Sequence, residues 1–191
     1  MVLKYAHINI KVGIINMKLA AQIVGLIGIA CSLLSFQQKK RNNVMLFQMS
    51  ASALFCIQLF MVGAITGGCI DSISFVRTAV FSQNQKKWAS SPLWLWGFMA
   101  AMIITGILTW QNIFSILPII GSVLSTLALW MKKAKHIRII SLFVGPCWLI
   151  YNLIHGAYTG ALNELLAMTS IIIGICRHDI GKKNAEAKEQ A

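Results

Sequence analysis

The chain has 191 residues, of which 57% are hydrophobic and only 12% are charged. Soluble domains carry about 25% charged residues, and several apolar stretches of this chain approach the roughly 20 residues that cross a bilayer core as a helix. The composition therefore excludes a soluble globular protein. It predicts an all-α integral membrane protein, because a helix satisfies its own backbone hydrogen bonds in lipid.

The formal net charge is +12, and the cations lie mainly in the joins between apolar blocks. Membrane proteins carry an excess of Lys and Arg in their cytoplasmic loops, so we expect a lipid bilayer and no nucleic acid as the partner. The five cysteines are scattered without a CxxC spacing, which predicts neither a metal site nor a disulfide framework. No known nucleophile or metal motif occurs, so we expect no enzyme, no catalytic residues and no cofactor.

Seven apolar segments predict a polytopic protein with seven transmembrane helices. Residues 1–18 precede them as a mildly amphipathic N-terminal extension, and Met17 is an alternative start. The sixth helix is interrupted by Gly145-Pro146, and residues 178–191 form a charged tail. The predicted helices span residues 19–36, 44–62, 69–81, 93–110, 113–131, 137–154 and 157–176.

Lysine and arginine alternate along the chain in a way that predicts its orientation. The joins after helices 1, 3 and 5 and the tail contain nearly all of them, whereas the joins after helices 2, 4 and 6 contain none. Cytoplasmic loops carry the excess of positive charge. We therefore expect a cytoplasmic C-terminus and an external N-terminus.

A self-match at an offset of 93 positions indicates an internal duplication. The matched residues are Gly28 with Gly121, Ser32 with Ser125, Lys39 with Lys132, Gly63 with Gly156, Thr66 with Thr159, and Asp71 with Glu164. We predict two parallel three-helix repeats, at residues 19–83 and 113–177. One inverting helix at residues 92–111 would let both triplets enter the membrane in the same sense.

Three stretches, Phe75–Thr78, Pro118–Gly121 and Trp148–Asn152, resemble the YgjV-type family of small bacterial inner-membrane proteins. The resemblance extends from about Met17 to Arg177. More distantly, the three-one-three layout is similar to that of SWEET and PQ-loop transporters, in which two parallel triple-helix bundles flank a central path. The resemblance implies transport of a small solute.

In SWEET-like proteins an aromatic residue on the second helix of a bundle and an Asn on the third helix face the solute. By the resemblance, Phe55 and Trp148 would occupy the aromatic places, and Asp71 and Glu164 the Asn places. The acids and the missing PQ dipeptide are departures from that pattern. The resemblance therefore implies the architecture but not a sugar substrate.

Asp71 and Glu164 are the leading candidates for a binding site, since ionisable groups inside spans usually face a cavity. They could bind a cationic or amine solute or take up a proton. Alternatively, both lie in the first turn of a helix, where a carboxylate opposes the positive end of the helix dipole. The sequence leaves both interpretations open.

Arg77 lies further along the third helix. It could snorkel towards the cytoplasmic headgroups, as arginine does readily. It could instead be buried in a pair, with Glu164 as a possible partner across the bundle, because Asp71 is not on the same helical face.

Trp148, Tyr151 and Asn152 follow Gly145-Pro146, where a bent helix could open a polar cavity. They could contact a solute, or they could hold helices together. Gln58 is the repeat equivalent of Tyr151 and has the same two alternatives. The glycines Gly28 and Gly121 predict close helix packing.

Together these features predict a small-solute transporter of the bacterial inner membrane that works by alternating access. Its path would lie between helices 2, 3, 6 and 7, and its solute would be small and polar or cationic. The alternative is a non-transporting membrane protein that acts as an assembly or regulatory partner.

Overall fold

The computed structural model describes residues 2–36, 41–83, 86–131 and 134–176. Within them the chain forms seven α-helices and one short 3₁₀ helix, so the prediction of an all-α chain is confirmed for the described residues. The predicted tail, residues 178–191, lies outside them. The helices are α1 (Val2–Phe36), α2 (Arg41–Met61), α3 (Ile65–Ser82), α4 (Pro92–Leu108), α5 (Ile116–Trp130), α6 (Ala134–Ile154) and α7 (Tyr158–Ile175), and the 3₁₀ helix is Ile113–Ser115.

The structure corrects the predicted start of the first helix and the predicted interruption of the sixth. α1 begins at Val2 rather than at Leu19, so residues 2–18 continue into the first helix instead of forming a separate extension. α6 contains Pro146 in its interior and is not interrupted there. A proline removes only its own N–H donor, and the turns on either side keep α6 continuous.

A third difference from the prediction lies at the start of α3, which begins at Ile65 and not at Cys69. The reversal of the chain is completed at Gly63, with φ 78°, a backbone conformation that glycine adopts readily. Gly67 and Gly68 consequently lie inside the helix instead of in the join.

The α2–α3 and α6–α7 joins have nearly the same backbone geometry. Gly63 and Gly156 have φ of 78° and 74°. Ala64 (φ −82°, ψ 65°) and Ala157 (φ −84°, ψ 63°) follow them. The N–H of Ala64 donates to the Leu59 carbonyl over 2.9 Å. The N–H of Ala157 donates to the Asn152 carbonyl over 2.8 Å.

The helices form two triplets. α2 packs between α1 and α3, and α6 packs between α5 and α7. The triplets meet through the pairs α1 with α7 and α3 with α5, while α4 lies against α3 and α5. Each triplet therefore contributes its first and its third helix to the contact between them.

The surface is apolar and the interior is partly polar. Leu93 and Leu108 are each 80% exposed, whereas Gln58, Thr66 and Thr126 are fully buried. Extensive apolar exposure is typical of a surface that faces lipid. Within the part of the chain that the structure describes, four stretches are long and apolar enough to cross a membrane: Ile15–Leu34, Ile113–Trp130, Lys135–Ile154 and Tyr158–Ile175.

Candidate functional site

A cavity of about 290 Å³ lies between the two triplets and is lined by residues from α1, α2, α3, α5, α6 and α7. Seven of the eight residues predicted to form a solute path are among its lining residues. They are Phe55, Gln58, Asp71, Arg77, Trp148, Asn152 and Glu164. The eighth, Tyr151, is fully buried beside the cavity. The structure thus brings the predicted residues together, and their role in transport stays a prediction.

Asp71 and Glu164 both line this cavity and are partly exposed. Each lies in the second turn of its helix, and neither α3 nor α7 has an acidic residue in its first turn. The alternative that they oppose the helix dipole is therefore wrong, since that effect falls off within the first turn.

Two aromatic side chains of the cavity lie against glycines on neighbouring helices. A Cβ placed at Gly28 would lie 3.1 Å from the Phe55 ring, and a Cβ at Gly121 would lie 3.0 Å from the Trp148 indole. Real Cβ contacts are rarely this short. The prediction that both glycines allow close packing is confirmed, and the space is taken by cavity-lining rings.

Arg77 is only 5% exposed, so the snorkelling alternative is wrong. Its Nη1 donates to the hydroxyls of Ser125 (2.8 Å) and Thr126 (2.6 Å) on α5. A longer bond of 3.3 Å runs to the Ser122 carbonyl. Nη1 therefore ties α3 to α5 rather than bonding Glu164.

Tyr151 and Asn152 hold helices together close to the cavity. The Tyr151 hydroxyl accepts a bond of 2.9 Å from the Gly67 N–H of the other triplet. The Asn152 amide packs against Gly160, where an added Cβ would lie 3.1 Å from its nitrogen. Gln58 donates to the Thr159 hydroxyl across the same boundary.

Two glutamines join the triplets at the end where α3 and α7 begin. Gln22 of α1 donates to the Gly156 carbonyl (2.7 Å) and accepts from the Thr159 N–H (3.1 Å). We call Gln22 and Gln111, together with the residues they bond, the glutamine clamps. Each clamp fixes the turn of the opposite triplet.

The second clamp makes the corresponding bonds to the α2–α3 turn. Gln111 donates to the Gly63 carbonyl over 3.0 Å and accepts from the Thr66 N–H over 3.4 Å. Thr66 also donates to the Thr109 carbonyl, which adds a further link to the segment before α5. This end of the cavity is consequently bridged by hydrogen bonds from both triplets.

The sequence reasoning assigned no role to the clamp residues or to Ser122. One signal was present, because the self-match aligned Thr66 with Thr159 and these threonines meet the two glutamines. Gln22 was visible as an amide within an apolar span. The described residues contain no group of three or more His, Cys, Asp or Glu that could hold a metal ion.

The apolar exterior, the membrane-length helices and the polar central cavity define an integral membrane protein. The chain belongs to the Imp-YgjV family of bacterial inner membrane proteins, whose family model matches residues 19–182. It is similar to the inner membrane protein YgjV of Escherichia coli (strain K12), with 24% identity over 148 residues. That match covers 75% of this chain and 76% of the relative. No solved structure matches the chain.

Proposed function

We propose that the protein is a small-solute transporter in which two bundles, α1–α3 and α5–α7, move against each other to give alternating access. The observation that carries the proposal is the cavity that both bundles line, to which each contributes one carboxylate. Charged groups inside spans are costly and usually mark a substrate or ion path. A protein held together only by packing has no need of two facing acids.

The proposal includes the predicted pair of parallel repeats. Its support is the matched backbone of the two joins and the matched positions of Asp71 and Glu164 in α3 and α7. If the two bundles are exchanged, α1 takes the place of α5 and α7 takes the place of α3. The α1–α7 contact then becomes the α5–α3 contact, and both contacts are present. In this arrangement α4 is the inverting helix.

The proposed state of the transporter is closed at the clamp end. The cavity extends from Gln58 and Asn152 towards Ser32, Thr78 and Ser125, near the last turns of α1, α3 and α5. The joins that follow these helices each contain two lysines, whereas the joins after α2, α4 and α6 contain no Lys or Arg, which favours the cytoplasm for that side. We therefore infer seven spans, an external clamp end, an external N-terminus and a cytoplasmic C-terminus.

The layout supports the likeness to SWEET and PQ-loop transporters that the sequence indicated. Phe55 and Trp148 on the second helix of each bundle line the cavity, and so do the two acids on the third helices. The acids differ from the Asn of the sugar carriers. The proposed solute is therefore a small polar or cationic molecule instead of a sugar.

A test of alternating access needs no known solute. In a variant with all five cysteines replaced by alanine, Asn163→Cys places one thiol in the cavity wall. A membrane-impermeant maleimide should label it from both faces of the membrane, tested in right-side-out and inverted vesicles. Leu165→Cys, on the lipid-exposed side of α7, is the control that should stay unlabelled from either face.

A cross-link sharpens the same test. A short bifunctional thiol reagent that joins Gln22→Cys and Thr159→Cys would lock one clamp, because the Gln22 amide already spans the gap to the Thr159 hydroxyl. Labelling from the external face should then stop while cytoplasmic labelling continues. Failure to label Asn163→Cys from any face would contradict the transporter and favour the assembly-partner alternative.

Flux provides the second test. Proteoliposomes should take up an amine or amino acid, with and without a pH gradient, and Asp71→Asn with Glu164→Gln should reduce the initial rate by about tenfold or more, as expected for loss of charge-assisted binding. Full activity of the double variant would contradict a role for the acids. A stable protein partner recovered with a non-transporting chain would favour the alternative function.

A further inference from the structure

The charges of the cavity are not symmetric. Asp71 and Glu164 occupy matching places in α3 and α7, but the residue that matches Arg77 at the offset of 93 is Ser170. Among the lining residues that the structure describes, these two acids and Arg77 are the charged ones. One side of the cavity thus has a cationic group in addition to the two acids.

At Arg77 and Ser122, which form one corner of the cavity, two hydrogen-bond donors have no partner among the described residues. Nη1 is used by α5, but Nε of Arg77 and Oγ of Ser122 are both buried without a hydrogen-bond partner among the described residues. Arg77 is 5% exposed and Ser122 is 1% exposed, and both line the cavity. Buried polar atoms are almost always bonded, so two orphans at one corner point to a ligand group that accepts hydrogen bonds. A carboxylate is the preferred partner of a guanidinium.

The opposite requirement holds at Asp71 and Glu164. Their carboxylates accept hydrogen bonds and favour a cation, and an ammonium group meets both needs. The rings of Phe55 and Trp148 line the same cavity, and aromatic faces also attract ammonium groups.

We propose that the solute is a small zwitterion, whose ammonium binds between Asp71 and Glu164 and whose carboxylate binds at Arg77 and Ser122. This inference rests on the proposed function and names the class of its substrate. An amine would leave the Arg77 corner unsatisfied, and a carboxylic acid would meet the two acids unpaired.

The dimensions agree with a solute of amino-acid size. The cavity of about 290 Å³ is at the lower end of the roughly 300–1,000 Å³ of ligand pockets. The backbones of residues 71 and 77 are about 9 Å apart along α3, at 1.5 Å per residue. Both Asp71 and Arg77 line this cavity, so the two ends of one small solute can meet both side chains.

The experiment is a binding screen on the purified full-length protein in detergent. Each of the standard amino acids is tested by calorimetry, and each binder is compared with its decarboxylated amine and its deaminated acid. We expect at least one amino acid to bind, and both analogues to bind about tenfold or more weakly, since each loses one charge-assisted pair.

Variants assign the two ends of the solute. Ser122→Ala removes a hydroxyl that has no partner, so folding should be unaffected while the amino acid binds more weakly and the amine analogue does not. Arg77→Gln should likewise weaken binding of the amino acid relative to binding of its amine analogue. Glu164→Gln should instead weaken the amine and leave the deaminated acid unchanged or stronger. Lys135→Gln, an exposed site on α6, is the control for loss of a charge elsewhere.

The outcomes separate the solute class from the transport function. Equal affinity for amino acid and amine, or no binding of any amino acid, overturns the zwitterion but leaves transport to be judged by labelling and flux. If Arg77→Gln and Ser122→Ala weaken amine and amino acid alike, Arg77 only ties α3 to α5 and the proposal is wrong. Binding of a zwitterion without flux would sustain the site and overturn the transporter.

Discussion

The turns of the two bundles share a backbone geometry, but several polar side chains at matching positions differ. Their joins agree within a few degrees at Gly63 and Gly156, and each bundle places one acid in the cavity. Yet Gln58 of one bundle occupies the place of Tyr151 in the other, and Arg77 occupies that of Ser170. Matching turns and acids thus occur in both bundles, whereas the differing residues give the two walls of the cavity different chemistry.

The glutamine clamps sharpen this contrast. Each clamp bonds the carbonyl of a turn glycine and the N–H of a nearby threonine. However, the residue that matches Gln22 at the offset of 93 is Ser115, not Gln111. Equivalent contacts therefore come from non-equivalent positions, and the comparison can be tested by variants made in pairs.

The largest difference between the bundles is expected at Gly67 and Gly160. In Gly67→Ala the new Cβ would lie 2.4 Å from the buried Tyr151 ring, whereas in Gly160→Ala it would lie 3.1 Å from the Asn152 amide. Overpacking costs about 1–3 kcal/mol, so Gly67→Ala should lower the free energy of unfolding by that amount and Gly160→Ala by clearly less. Denaturant unfolding in detergent measures both. Gly97→Ala, where no atom lies within 4 Å, is the control, and equal losses at 67 and 160 would contradict the expected asymmetry.

The turn glycines should behave alike. Gly63→Ala and Gly156→Ala meet no atom within 4 Å, so only the positive φ opposes the new side chain. Each variant should lose about 1–2 kcal/mol of stability, the cost of the left-handed conformation in an L-residue. Thermal unfolding of the two proteins should give the same shift. If only one of the two variants loses stability, the two turns differ in their energetic cost despite their similar backbone geometry.

The clamps should contribute less to stability than to access. Gln22→Leu and Gln111→Leu each remove two bonds to a turn, and Gln22→Leu also removes the bonds that its Oε1 accepts from the Gln58 and Thr159 side chains. The net cost is about 1 kcal/mol per bond or less. Each should also increase external labelling of the cavity thiol in Asn163→Cys. Ser90→Ala, whose hydroxyl bonds only its own turn at the surface, is the control. If external labelling is unchanged in both clamp variants, the glutamine clamps do not close the external end of the cavity.

The smallest effect is expected at His155, which occupies the place of Val62 in the first bundle. Its ring lies 4.2 Å from the Tyr151 ring, and Nδ1 contacts the Tyr151 carbonyl at 3.0 Å. His155→Val should lose about 0.5–1.5 kcal/mol, the value of an aromatic pair, with no change in solute affinity. A change in affinity exceeding a few-fold would place His155 in the site.

Much of the candidate site followed from the sequence. Asp71, Glu164 and Arg77 are charged residues inside apolar segments, and this rule needs no coordinates. The helix-dipole interpretation of Asp71 failed because α3 begins four residues before the predicted start, and Glu164 is the seventh residue of α7 and lies beyond its first turn. A glycine-rich stretch looks like a loop, and only packing determines that Gly67 accommodates Tyr151 within a helix.

By itself, the sequence determined the membrane class, the number of helices and the places of the acids, since composition and apolar length set the solvent of each segment. The tertiary structure alone decided the partners. Arg77 bonds hydroxyls of α5 that lie 48 and 49 positions away, and Gln22 bonds a turn that lies more than 130 positions away. Contacts at such separations depend on which helix faces meet, and no local pattern encodes that meeting.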